Sequence, residues 1–154
     1  MIAYPATDGS RELPAEQRLF DHVKQALRVM VEWRAPAVSL ERKQSGVRFA
    51  LRSFCRHLER LMEFEERGGY LDAISDSRPN WQTRVVRLRA EHAQLRERIG
   101  RLTPQLDDTA AWRAERFDDA CETIRELLDD VDQHDREEIA LIQETLLFDE
   151  GGEG

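Results

Sequence analysis

Disulfide staples are beyond this chain: its 154 residues include only two cysteines, Cys55 and Cys121, too widely separated for a stapled scaffold or a zinc knuckle. Both fall in apolar helical surroundings and read as reduced core thiols. Proline is sparse too, with five residues at positions 5, 14, 36, 79 and 104 and long uninterrupted stretches between them. No apolar run approaches the roughly 20 residues that cross a bilayer, and the opening MIAYPATDGSRELP lacks the basic and then apolar regions of a secretory leader. A cytoplasmic protein without a membrane partner is the expectation. Basic charge is in deficit, 23 Lys and Arg against 31 Asp and Glu for a formal net charge of -8, and such a field repels phosphate backbones. Nucleic acid is therefore not an expected partner. Glycine-rich phosphate loops, Cys-rich metal motifs and a serine nucleophile elbow are missing, and the Gly68-Gly69 pair has no strand before it.

What the chain does have is helix. Leu, Ala, Glu and Arg dominate, strand-like alternation is hard to find, and the length suits one domain of about 100 to 200 residues. Four amphipathic stretches stand out. The first runs from Pro14 to Trp33 with the stripe Leu19, Val23, Ala26, Met30, Trp33. The second opens between Ser39 and Gly46 and carries Val47, Leu51, Phe54, Leu58, Leu61 and Glu65 at alternating steps of four and three. A third follows Pro79 with Val85, Leu88, His92, Leu95, Ile99 and Leu102, and a fourth reads Phe117, Ala120, Ile124, Leu127, Val131, His134, Glu138, Leu141. Narrow seams and modest connections predict an all-α, antiparallel, up-and-down four-helix bundle over residues 14–149, with a flexible segment 1–13 and a disordered tail 150–154.

Polar residues interrupt these seams. The four histidines, His22, His57, His92 and His134, fall one in each stretch, and Glu65 and Glu138 stand where the pattern asks for an apolar residue. Imidazoles and carboxylates inside a bundle cost several kcal/mol unless their desolvation is compensated, most often by a metal. His92 and His134 occupy seam positions directly. Glu138 follows His134 at i, i+4, a spacing that lets both hold one ion. Glu65 is either a fourth inward ligand or the point where its helix leaves the core, since Glu63, Glu66 and Arg67 surround it. His22 lies at the edge of its stripe. His57 flanks Leu58, about 12 Å along the axis from Glu65, and reads as a boundary histidine before it reads as a ligand.

These residues meet only if they lie equally far from the turns joining their helices. Glu65 and His92 match if the second helix continues through Gly68 and Gly69 into YLDAISD and turns near Ser77 to Pro79, at a cost of roughly 1 kcal/mol per internal glycine. His92 and His134 match poorly if the fourth helix begins at Thr109. That helix is therefore expected to break, to start later, or to overshoot.

Together the motifs resemble the hemerythrin-like, or HHE cation-binding, family over about residues 15 to 149. Asp21-His22 resembles the first-helix histidine element, MEFEERGGYL at 62–71 the stretch containing the second-helix glutamate, Glu91-His92 the third element, and His134-Asp-Arg-Glu-Glu138 the fourth. The resemblance implies an antiparallel four-helix bundle around a non-haem di-iron centre, with His22, Glu65, His92, His134 and Glu138 as ligands. One departure matters: Leu61 stands where the family carries a ligating histidine, four residues before Glu65. Either His57 reaches in instead, or the site holds one ion, or it holds two with an exogenous ligand at that position, or it has lost metal.

Three function classes follow. The first is an iron protein that binds or senses dioxygen or nitric oxide, or handles iron. An enzyme acting on oxygen or peroxide ranks second, because no acid or base beyond the ligands is visible. The third is a metal-free, degenerate bundle acting as an interaction or regulatory module. Oligomeric state has no sequence signature here.

Overall fold

The second helix is capped at Ser39, whose side chain accepts a hydrogen bond from the Arg42 backbone N–H, with Glu41 in the first turn. From there the seam Val47, Leu51, Phe54, Leu58, Leu61, Glu65 stays buried along a single helix, α2 (Leu40–Arg67). The computed structural model describes residues 9–33 and 37–151. Over these residues it is all-helical: α1 (Gly9–Glu32), α2, α3 (Tyr70–Ser77), α4 (Pro79–Leu102) and α5 (Ala114–Glu150), with two 3-10 turns, Thr103–Leu106 and Thr109–Trp112, between the last two. No helix among the described residues is long and apolar enough to cross a membrane.

The expected bounds move at both ends. The first helix starts at Gly9, so residues 9–13 are helical, and α5 runs to Glu150, closed by the Gly151 N–H donating to the Leu147 carbonyl. The rest of the expected flexible segment, 1–8, and of the expected tail, 152–154, lies outside the described residues. The second helix does not pass unbroken through the glycine pair. It ends at Arg67, and Gly69 takes φ +72° before α3 restarts the chain and Arg78 turns it into α4. The left-handed backbone of Gly69 is open to glycine without the steric cost a Cβ would bring. The turn thus falls where the level argument requires it, with a hinge instead of a continuous rod. The fourth helix starts five residues after Thr109, because the chain first makes its two 3-10 turns. Trp112 Nε1–H donates to the Gln105 carbonyl at 2.6 Å and Arg48 Nε–H to the Leu106 carbonyl at 2.8 Å, which fixes that connection against α2.

Packing follows the seams, apart from α1. Its buried residues are Phe20, Leu27 and Val31; of the expected stripe Val23 and Met30 pack half-buried against the core, while Leu19, Ala26 and Trp33 are exposed. Both phases satisfy a helical period, but only this one stacks the Phe20 ring on Phe54 at 5.4 Å. Helix α1 packs on α2 and α5, α3 on α4, and α4 on α5. A polar seam ties α1 to α5: Lys24 Nζ lies 2.8 Å from Asp132 and 3.2 Å from Asp135, and Arg28 reaches Asp129 and Asp132 at 3.0 and 2.8 Å. Cys55 and Cys121 are free, buried thiols.

Two glycines should respond to alanine with opposite signs. Gly69→Ala forces a Cβ into a positive φ and is expected to lower stability by about 1 kcal/mol. Gly100 lies inside α4, where a Cβ would meet only open space, and should gain about 0.5 to 1 kcal/mol as alanine. Denaturant unfolding of both variants checks the pair.

Candidate metal centre

The apolar interior is divided into two parts. The larger core includes Phe20, Phe54, Leu61, Leu95 and Val131; the smaller holds Leu71, Trp81, Val85, Leu88 and Leu141. Along the chain the buried residues between them are polar. Glu65 separates Leu61 from Leu71, His92 separates Leu88 from Leu95, and His134 and Glu138 separate Val131 from Leu141. These four side chains are only 5, 1, 5 and 7% exposed, and one donor atom from each lies within 4.8 Å of the others. Helices α2, α4 and α5 supply them.

Each imidazole is oriented from behind by a carboxylate. His92 Nδ1–H donates to Glu66 Oε1 at 3.0 Å, and Arg96 grips the two Glu66 oxygens at 2.7 and 2.9 Å. His134 Nδ1–H donates to Glu91 Oε2 at 2.7 Å, and Arg87 Nε–H donates to the other Glu91 oxygen at 3.1 Å. An ionised carboxylate can only accept, so these contacts put the ring protons on Nδ1 and leave Nε2 with a lone pair. Both lone pairs then point at one place. The two Nε2 atoms are 3.0 Å apart, His92 Nε2 is 3.0 Å from Glu65 Oε2, and His134 Nε2 is 3.6 Å from Glu138 Oε2.

Four acceptors facing one another require something positive among them. Protons are one answer: burial, with the Asp135 charge and then Glu66 adding to it, raises the Glu65 carboxyl well above the usual range even though its hydrogen bond with Glu138 works the other way. Burial, followed by the Glu65 charge and hydrogen bond, raises Glu138 likewise. His92 is pushed down, first by desolvation, so a buried imidazolium is disfavoured. Glu66 is held below its ordinary value, above all by the hydrogen bonds from Arg96. A divalent cation is the other answer, and the donor set fits it: two neutral imidazoles and two carboxylates balance a charge of +2 without leaving buried charge unpaired.

Of the residues singled out from sequence, Glu65, His92, His134 and Glu138 come together and three positions do not join them. His22 is exposed, its Nδ1–H donating to the Arg18 carbonyl at 2.7 Å, because α1 turns the Phe20 face inward. His57 is buried on α2 but faces α1, its Nδ1 3.5 Å from Glu16 Oε2, and neither atom has a hydrogen-bond partner. Leu61 lies in the larger apolar core, 2% exposed. Glu66 was missed as a partner of an imidazole, and Glu91, expected to serve as one only if the backbone bent, reaches His134 from a continuous α4. Their signal was adjacency: residues one apart on a helix point about 100° apart, so when Glu65 and His92 face inward, Glu66 and Glu91 face the neighbouring helix. Each therefore serves the imidazole of another helix, and Glu91 does not orient its neighbour His92.

A model of the hemerythrin HHE cation-binding domain matches residues 15–146. No curated protein and no solved structure matches the chain.

Because the folded protein prefers Glu65 and Glu138 protonated, the metal-free form has this contribution in full below their ordinary value of 4.5 and loses it as pH rises through the elevated folded values. A bound cation replaces those protons. The melting-temperature difference between metal-loaded and metal-free protein should therefore widen from about pH 5 to about pH 8. A constant difference in calorimetry across that range would contradict this electrostatic account.

Proposed function

The chain belongs to the hemerythrin HHE cation-binding family, and from that premise we propose that it is a non-haem iron protein holding one ion through Glu65, His92, His134 and Glu138. The observation that carries this reading is the convergence of two Nε2 lone pairs and two carboxylates within 4.8 Å, between the two apolar cores. In this reading α2 and α3 act as one rod of an antiparallel, up-and-down four-helix bundle, and the polar layer is its functional level.

One ion is favoured over two because two of the expected ligand positions are unsuitable. Leu61 offers no donor and His22 points to solvent. Four protein donors complete a tetrahedral zinc site, whereas iron commonly takes more ligands. Iron held here would supply a coordination position for a small molecule such as dioxygen or nitric oxide. The chain's own groups have distinct tasks. Glu65 and Glu138 provide the negative charge, His92 and His134 provide neutral nitrogen donors, and Glu66 and Glu91 hold the ring protons on Nδ1 so that Nε2 stays free. The surrounding Leu61, Leu88, Leu95 and Leu141 keep bulk water away. Binding or sensing ranks ahead of catalysis, because the carboxylates nearest the donors are committed to orienting the imidazoles.

The loss of the Leu61 and His22 donors also favours a second reading, a metal-free bundle serving as an interaction or regulatory module. Chelation separates the two, since a metal-free module would keep its melting temperature.

His134→Ala should remove most bound iron, while His57→Ala, on the α1-facing side of α2, should leave it nearly unchanged. Elemental analysis of protein from iron-supplemented cells, with a visible absorption spectrum before and after oxidation, reads the outcome. Equal iron content in wild type and the His134 variant overturns the assignment.

A further inference from the structure

The buried centre meets the surface at His134. A cleft of about 220 Å³ lies between α4 and α5, lined by His134 and Glu91 at its inner side and by Arg87, Arg98, Asp130 and Glu137 farther out. Five of its nine lining residues are acidic or basic, and three of these are carboxylates, so the cleft suits a hydrated cation, which sheds water against carboxylates, better than an uncharged guest. Arg87 spans it. Its Nε–H donates to Glu91 of α4 and its Nη2 to Glu137 of α5, both at 3.1 Å, and its side chain is 66% exposed. Exposed ion pairs contribute little to stability and break easily, whereas the hydrogen bonds that orient His92 and His134 are part-buried. Opening at Arg87 is therefore far easier than opening through the apolar layers on either side of the centre.

We propose that the α4–α5 cleft is the route by which a divalent cation enters and leaves the centre, and that the Arg87 bridge to Glu137 is a strap across it. This rests on the metal reading above and adds to it the direction of exchange and the residue that sets its rate. Removing the strap lowers the barrier in both directions, so uptake and release accelerate together. Glu137 is the cleaner handle, because it touches neither the four donors nor the carboxylates that orient them. Arg87 also holds Glu91, so its loss has a second effect on His134.

Stopped-flow mixing with Co²⁺, followed by its ligand-field absorption, and transfer of bound Co²⁺ to a chelator give the two rates. In Glu137→Gln both should rise by about two- to fivefold, the factor that release of an exposed ion pair supplies, and the dissociation constant should stay nearly unchanged. Arg87→Ala should accelerate both and in addition weaken binding. The control is Arg84→Ala: Arg84 pairs with Glu144 and so also joins α4 to α5, but it does not line the cleft. Unaltered rates in Glu137→Gln, or an equal acceleration in Arg84→Ala, overturn the route, the latter because it reports general loosening of the two helices. Wild-type protein that gives no Co²⁺ signal overturns the metal centre itself, and the route with it.

Discussion

Two carboxylates and two imidazoles sit at mid-height in a helical interior, and the architecture is arranged around the need to compensate their burial. Desolvation alone sets a penalty of several kcal/mol for each ionised group. The two arginine-held glutamates, Glu66 and Glu91, make the situation more specific, because they fix where the imidazole protons lie and so leave electron pairs pointing inward. A centre built in this way can be filled by protons at the glutamates or by a metal ion. A metal ion held there would have to displace the protons that burial keeps on the two glutamates.

Charge is handed around the bundle in a regular order. Glu65 of α2 faces the centre while Glu66 orients His92 of α4; His92 faces the centre while Glu91 orients His134 of α5. Helices α2 and α4 thus each contribute one donor to the centre and orient the imidazole of another helix, using two consecutive residues, while α5 supplies two donors one turn apart. Arg96 and Arg87 close the sequence by neutralising the outer carboxylates near the surface. The arrangement explains why the ligands need no loop and no cysteine. It also explains why α1, whose Lys24 and Arg28 are engaged with α5 aspartates, takes no part.

Much of this was legible in the sequence because heptad-like spacing encodes which face is buried. The seams of α2 and α5 read directly into the interior, and the polar residues at Glu65, His92, His134 and Glu138 stood out against them. On α1 the spacing was ambiguous by one residue, since Leu19, Ala26 and Trp33 mimic a stripe as well as Phe20, Leu27 and Val31 do; ring stacking with Phe54 decides between them, and His22 turns outward as a result. Gly68-Gly69 suggested a tolerated interruption, but the left-handed conformation of Gly69 is a property of the backbone that composition alone does not specify. The roles of Glu66 and Glu91 depend on which helix is the neighbour, a fact of tertiary packing that no single-helix pattern contains.

The division of the interior into two apolar compartments has a consequence for how the molecule comes apart. Hydrophobic cohesion is continuous within each compartment but interrupted at the polar stratum, so side-chain coupling between the two ends passes through a handful of polar groups. An ion bridging that stratum would rivet both ends into one cooperative unit. Without the rivet, the end formed by α3 and the start of α4, which has the smaller compartment and a glycine hinge at its root, is the natural place for fraying to begin.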